Sequence, residues 1–383
     1  MSATAAKNRI YRGKRTLSIM PTFTCPAACS DCGTFSSPQE RTSLERAQII
    51  AAIDEAKELG FVNVVFTGGE ATLRWPDLLA GISHARRLGF PVRLVTNAHW
   101  ARTPEAARRK IAALMDAGLS EINYSTGDEH TRFVPIERVA YAVVAACERE
   151  LPVHVMVELK RGSTVTRDRL LRHEVLDGLT DRQRAALSVK TSPWMPLSPY
   201  RFHDYDAGVT ANEGNLSTHG GCTSVLQTYT VQADGRIGAC CGIGLRTITE
   251  LNVGHAREAS PLRHAIEESE QDFLKLWIHY EGPLRVLAWA ASHDPAITWQ
   301  DLYAHHCQAC QRLYHDDAVR AVIRTHWREV VGQVIHTAWF QEVYGPDRLR
   351  SPAEDAPGVR RTPSPADGSL VQADGQGHED DQE

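Results

Sequence analysis

Eight of the nine cysteines in this 383-residue chain fall into three groups, at 25/29/32, 222/240/241 and 307/310. The first group lies in one short stretch, "TFTCPAACSDCG", with the spacing C-x3-C-x2-C. Three thiolates from one loop satisfy three irons of a cubane iron–sulfur cluster and leave the fourth iron open to an exogenous chelate. A zinc ion completed by a distant residue, His84 or His99, is compatible with the same spacing, which leaves both readings open. Cys222 and Cys240 bracket Gly235 as C-x12-G-x4-C, and Cys307 and Cys310 form "CQAC". Those four thiols suffice for one closed cluster or one structural zinc. His305 and His306 read as solvent-facing or supporting residues beside the pair. Cys241 follows a ligand on a strand and should face the opposite side, as a buried spectator or as a thiol hydrogen donor. Cys147, inside the apolar helical pattern "VAYAVVAACERE", reads as core.

These residues need a frame, and the first half of the chain supplies strands alternating with helices. "TLSIMPT" is a strand leading into the first cysteines. "TSLERAQIIAAIDEAKELG" is a helix with Thr42 and Glu45 as its capping box and Gly60 at its end. "VNVVFTGGE", "PVRLVTNA", "EINYSTG", "PVHVMVEL" and "LSVKTSPWMP" are further strands. Between them lie "WPDLLAGISHARRLG", with Pro76 in its first turn, "TPEAARRKIAALMDAG", "PIERVAYAVVAACERE" and a helix around "RDRLLRHEVLDGL". Six such units over residues 16–198 imply an α/β fold, a parallel sheet forming a partial (β/α)6 TIM-like barrel. Function then belongs at the carboxyl ends of the strands, where Cys25, Gly68-Gly69-Glu70, Asn97, Ser125 and Glu158 fall.

Residues 1–15 read as an N-terminal extension and 199–221 as a Gly- and Asn-rich linker. Residues 222–345 read as a small β-hairpin, turning at Asp234-Gly235, plus a helical section rich in Trp and Leu. Residues 346–383 are acidic, Pro/Gly-rich and without aromatics, and are expected to be disordered.

The three-cysteine loop after the first strand, with "TGGE" after the second, resembles the radical S-adenosylmethionine (radical SAM) superfamily. The resemblance implies that Cys25, Cys29 and Cys32 hold a [4Fe–4S] cluster. It implies that Gly68, Gly69 and Glu70 bind the methionine part of SAM, and that Asn97, Ser125 and Glu158 touch the rest. One departure is Asp31, where the family commonly places an aromatic residue against adenine; Phe35 is the expected substitute. The second cysteine set resembles the auxiliary-cluster extensions called SPASM and twitch domains, which implies Cys222, Cys240, Cys307 and Cys310 as ligands of one auxiliary [4Fe–4S] cluster. The implied activity is reductive SAM cleavage to a 5′-deoxyadenosyl radical and hydrogen-atom abstraction from a ribosomally made peptide. The resemblance extends to Cys241, as the thiol donor of radical SAM peptide epimerases. A small-molecule alcohol dehydrogenase acting on aminocyclitol-like substrates is the alternative enzyme, and a zinc-stabilised binding protein the non-catalytic one. A flavodoxin or ferredoxin is the expected electron donor. With only residues 1–15 ahead of the first strand, leader-peptide recognition is expected to fall to a separate protein or to the cavity itself.

Composition fits a globular protein of this kind, at 42% hydrophobic and 23% charged residues. A net charge of −5 gives no reason to expect nucleic acid or an anionic membrane as partner. No apolar run reaches membrane-spanning length, and the N-terminus lacks the apolar core of a secretory signal, so a cytoplasmic location is expected.

Overall fold

The computed structural model describes residues 11 and 13–344. The expected extension and acidic tail lie largely outside the described residues. Six strands, β1 (Thr16–Ile19), β2 (Asn63–Phe66), β3 (Val92–Thr96), β4 (Glu121–Thr126), β5 (Val153–Leu159) and β6 (Leu187–Pro193), pair in parallel in chain order. Each is short and rich in β-branched residues, and alternate side chains such as Leu17, Ile19, Val64, Phe66, Ile122 and Tyr124 are wholly buried.

The connecting helices α1 (Arg46–Glu58), α2 (Trp75–Arg87), α3 (Pro104–Ala117) and α5 (Ile136–Cys147) bury one face each, with a short α4 (Asp128–Thr131) before α5. Pro76 sits in the first turn of α2, as expected. The first helix starts later than its expected cap. Gln48 accepts a hydrogen bond from the Glu45 amide at 2.9 Å, while the Thr42 carbonyl is taken by Phe23 and Thr22. Long-range contacts with the cysteine loop thus claim the residue that local pattern assigned to a cap.

The helix expected around "RDRLLRHEVLDGL" is broken into α6 (Arg167–Leu171), a 3-10 turn at Glu174–Leu176 and α7 (Asp181–Arg184). His173 Nδ1 accepts the Val175 amide at 3.4 Å and caps the second piece, and only Leu170 of α6 is buried. With little apolar surface to bury, nothing compensates for extending the helix.

After β6, residues 199–221 form a packed strap rather than a free linker. Tyr205 and Ala211 are buried, Ala211 exchanges backbone hydrogen bonds with Tyr303 and Asp301, and the Tyr205 hydroxyl reaches the Trp194 carbonyl at 2.5 Å. The expected hairpin is present as β7 (Thr228–Val231) and β8 (Arg236–Gly238), followed by β9 (Asn252–His255). It does not stand apart: β7 pairs in parallel with β1, giving one nine-stranded sheet in the order β6-β5-β4-β3-β2-β1-β7-β8-β9. Helices α8 (Pro261–Gln271), α9 (Phe273–Glu281), α10 (Pro283–His293), α11 (His306–His315), α12 (Asp317–His326) and α13 (Val331–Tyr344) follow. They build a second core around Trp277, Leu287, Tyr303 and Leu313, which also takes in Met20 and Phe23 next to the first cysteines. Among the described residues, no helix is long and apolar enough to cross a membrane.

Cys147, the last residue of α5, is fully buried in the core, and burial pushes its thiol up to about 12. Its replacement by alanine should cost about 1 kcal/mol of stability for the lost sulfur. Denaturant unfolding of the purified variant measures the loss.

Candidate functional site

The loop that follows β1 is laid over the end of the sheet by backbone hydrogen bonds. Phe23 and Cys25 amides donate to Thr42 and Ser37 carbonyls at 3.0 and 3.1 Å, and the Gly69 and Glu70 amides donate to Thr22 and Thr24 carbonyls at 2.9 Å each. This close contact explains the paired glycines. A Cβ on Gly69 would lie 2.5 Å from the Thr24 carbonyl oxygen and 2.7 Å from the Phe23 carbonyl carbon. Gly68 adopts φ +113°, and a Cβ there would meet the Thr22 carbonyl oxygen at 2.9 Å. Chain-on-chain packing therefore demands both glycines before any ligand does.

Glu70 is buried and accepts four hydrogen bonds. One carboxylate oxygen accepts from Thr72 Oγ1 at 2.6 Å, Thr96 Oγ1 at 2.8 Å and the Thr72 amide at 3.2 Å; the other accepts the Asn97 amide at 2.9 Å. These bonds join the ends of β2 and β3. Asn97 Nδ2 in turn donates to Cys25 Sγ at 3.5 Å. Cys29 Sγ reaches the Glu129 carbonyl at 3.7 Å, and Cys32 Sγ lies 3.4 Å from Thr34 Oγ1. Burial, reinforced by the neighbouring thiols and by Glu70 or Glu158, pushes the Cys25 and Cys29 thiols up to about 12. Glu158, also buried, accepts the Glu129 amide at 2.7 Å and the His130 amide at 3.0 Å, and pairs with His130 Nδ1. Residues from the ends of β2 and β3 are thus linked by hydrogen bonds to Cys25, and residues from the ends of β4 and β5 to Cys29.

Beside the cysteine loop opens a cleft of roughly 150 Å³. Ser125 and Glu158 line it, with Asp31 and Gly33 of the cysteine loop. Its apolar wall is Met156, Trp194, Met195 and Ile243, and His130 meets Trp194 edge-on at 5.6 Å between ring centroids. Two polar groups on its lining are buried without a partner, Thr126 Oγ1 and Trp194 Nε1, which suits a ligand carrying its own donors and acceptors. Phe35, the expected aromatic substitute, is not among the lining residues; it is exposed and lies 5.6 Å from the Arg246 guanidinium. Asp31 instead faces the chain beyond β6, accepting the Leu197 amide at 3.3 Å, with Arg201 at 3.5 Å and His203 at 3.4 Å.

Trp194 and Met195, at the end of β6, were within reach of the strand-end rule. Ile243 was not, because it comes from beyond the hairpin and packs where a Cβ on Gly33 would stand, 2.6 Å from Ile243 Cγ2. Of the histidines offered as zinc ligands, His84 is bound to Asp54 at 2.5 Å, and burial lowers His99.

The second set also assembles. Cys222 and Cys240 are buried, and Cys310, pushed up by burial, lies in electrostatic reach of Cys222, Cys240 and Cys307. Cys307 Sγ stands 2.9 Å from where a Cβ on Gly242 would be. His305 serves as the helix cap of α11, its Nδ1 accepting the Cys307 amide at 3.1 Å. On α11, Gln308, Gln311 and Tyr314 are buried with side-chain polar atoms that lack partners. Among the described residues, no three thiols of either set stand within 4.8 Å of one another. Cys241 is exposed, its Sγ 3.2 Å from Ser224 Oγ, and it is not among the cleft-lining residues.

A Gly69→Ala variant should lose about 1–3 kcal/mol, because the new methyl meets carbonyl groups that cannot yield. Denaturant unfolding checks the loss, and metal content per chain should fall with it.

Residues 19–157 match the model of the Radical SAM superfamily. Over 108 residues the chain is 35% identical to the PqqA peptide cyclase of Gluconobacter oxydans (strain 621H), a stretch covering 28% of this chain and 28% of that protein. The chain thus matches under a third of this curated relative. Native anSMEcpe with bound AdoMet and Cp18Cys peptide gives a TM-score of 0.49 at 12% identity, over 85% of this chain and 99% of that one. SuiB of Streptococcus suis bound to precursor peptide SuiA gives 0.36 at 16% identity, over 74% and 68%.

Proposed function

We propose that this chain is a radical SAM enzyme that modifies a ribosomally synthesised peptide. The observation that carries the reading is the three-thiol loop, with Cys25 buried and bonded to Asn97, in the stretch that matches the superfamily and with a cleft beside it. In it Cys25, Cys29 and Cys32 hold a [4Fe–4S] cluster, and SAM occupies the cleft. When bound, the reduced cluster and SAM together supply a 5′-deoxyadenosyl radical that removes a hydrogen atom from a substrate C–H bond.

The chain's own work is to bind and orient. In this reading the Gly68–Gly69–Glu70 turn and Asn97, beside Cys25 and outside the cleft lining, take the methionine end, and the cleft-lining Ser125 and Glu158 the nucleoside end. Trp194 Nε1 and Thr126 Oγ1 offer the polar contacts that the protein leaves unmet. Tyr205 of the strap, bonded to the Trp194 carbonyl, holds the backbone of a cleft-lining residue in place. Cys222, Cys240, Cys307 and Cys310 hold an auxiliary [4Fe–4S] cluster, for which the unpartnered polar groups of α11 are suitable donors. The SPASM- or twitch-like assignment, a flavodoxin- or ferredoxin-type electron donor, a separate leader-binding protein and a cytoplasmic setting belong to the same reading. Cys241, bonded to Ser224 and outside the cleft lining, is given no step in the cleft. The peptide as substrate is supported by the PqqA peptide cyclase match.

Anaerobically purified protein should be brown, hold about eight irons per chain and release 5′-deoxyadenosine from SAM under reduction. Cys25→Ala should lose that cleavage at least a hundredfold, and Cys310→Ala should keep it while losing about four irons. Undiminished cleavage by the Cys25 variant, measured by liquid chromatography, defeats the proposal.

A further inference from the structure

A third group of metal-type donors lies in the helical layer, apart from both cysteine sets. His293 ends α10, His326 ends α12, and the 3-10 turn Trp327–Glu329 brings Glu329 back beside them. Glu329 Oε2 lies 3.0 Å from His293 Nε2, Glu329 Oε1 lies 2.7 Å from His326 Nδ1, and the two imidazole centroids are 4.6 Å apart. The three donor atoms fall within 4.8 Å of one another.

The second observation concerns the other side of the His293 ring. Its Nδ1 faces the Trp289 carbonyl, 3.1 Å away and four residues back on the same helix. The Ser292 hydroxyl, 3.3 Å from the same nitrogen, gives its hydrogen to the Trp289 carbonyl at 2.7 Å. A carbonyl only accepts, so with the hydroxyl so used the ring nitrogen carries the hydrogen. In the neutral ring, Nε2 then presents a bare lone pair to a carboxylate oxygen at 3.0 Å. Two acceptors in contact require positive charge between them, either a second ring proton or a metal cation. A ring N–H given to a backbone carbonyl is also how metal-binding histidines are ordinarily held.

We propose that His293, His326 and Glu329 form a site for a divalent cation of the zinc class. Two imidazoles and one carboxylate suit zinc, whereas calcium and magnesium call for oxygen-rich sets. Metal–ligand distances of about 2.0–2.2 Å put tetrahedral ligands about 3.4 Å apart, so small side-chain rotations open the present cluster to the size required. The side chains are 23%, 38% and 55% exposed, so water completes the coordination. The cation would clip α10 to the end of α12. Both helices pack on α11, the carrier of Cys307 and Cys310, so the clip would brace that helix from outside.

The test uses the full chain, purified anaerobically with the metals it holds and dialysed against Zn²⁺ beside a competing chelator. Wild type should retain one zinc per chain more than Glu329→Gln and His326→Gln, with at least tenfold weaker uptake in each variant. Iron content should be equal in all three, so the difference stands whatever the cysteines bind. Co²⁺ in place of Zn²⁺ should give a wild-type-minus-variant spectrum with visible d–d bands and no thiolate charge-transfer absorption. Melting in EDTA should be the same for all, and added Zn²⁺ should raise it for wild type alone. A variant that melts lower in EDTA is replaced by His293→Gln. Equal zinc retention in wild type and variants, or a difference spectrum with thiolate bands, overturns the proposal.

Discussion

The site depends on how closely the chain after β2 can approach the chain after β1. Two backbone hydrogen bonds, Gly69 to Thr22 and Glu70 to Thr24, press the β2 turn against the segment that delivers Cys25. No Cβ fits between them at Gly69. From that contact the rest follows in order. Glu70 is buried because its backbone is fixed there, and its carboxylate then gathers Thr72, Thr96 and the Asn97 amide. Asn97, so held, places its side chain on the Cys25 sulfur. A loop of small and polar residues, with few apolar side chains to bury, is thus ordered by backbone pairing on a rigid sheet edge.

The same arrangement sets the electrostatics. Burial alone raises Cys25 and Cys29, and the nearby carboxylates of Glu70 and Glu158 raise them further. Of the two buried carboxylates, Glu158 pairs with His130, whereas Glu70 is held by neutral donors. On the proposed reading, the thiols, which resist ionisation when buried, would ionise on binding metal.

Much of this was legible in the sequence because it is local. Strand and helix periods, Pro76 in its first turn, the Asp234-Gly235 turn and the strand-end positions of Asn97, Ser125 and Glu158 all depend on neighbouring residues. What escaped was long-range. Thr42 reads as a helix cap, but the cysteine loop takes its carbonyl. Asp31 reads as a gap where a ring belongs, yet the structure gives it the Leu197 amide and two cationic side chains from beyond β6. Ile243 carries no signal in its own neighbourhood, since only the folding of the hairpin region onto Gly33 brings it to the cleft. The run around residues 167–179 has helical pattern but too little apolar surface to hold a helix without tertiary support.

The largest surprise, the pairing of β7 with β1, bears on how the two cysteine sets relate. Separate domains joined by a loose linker could move against each other. Here β1 runs straight into the three-cysteine loop, its neighbour β7 leads through β8 to Cys240, and the register Thr16–Ile19 to Thr228–Val231 locks the two strands. Arg246 adds a second tie, donating to the Thr34 carbonyl at 2.5 Å with its guanidinium 3.8 Å from the Phe23 ring. Met20 and Phe23 lie in the same core as Cys222 and Cys240. Sliding one set against the other would mean breaking a sheet ladder and opening that core together. The separation between the two sets is therefore a property of the sheet, and a charge passed between them would cross packed protein of constant length.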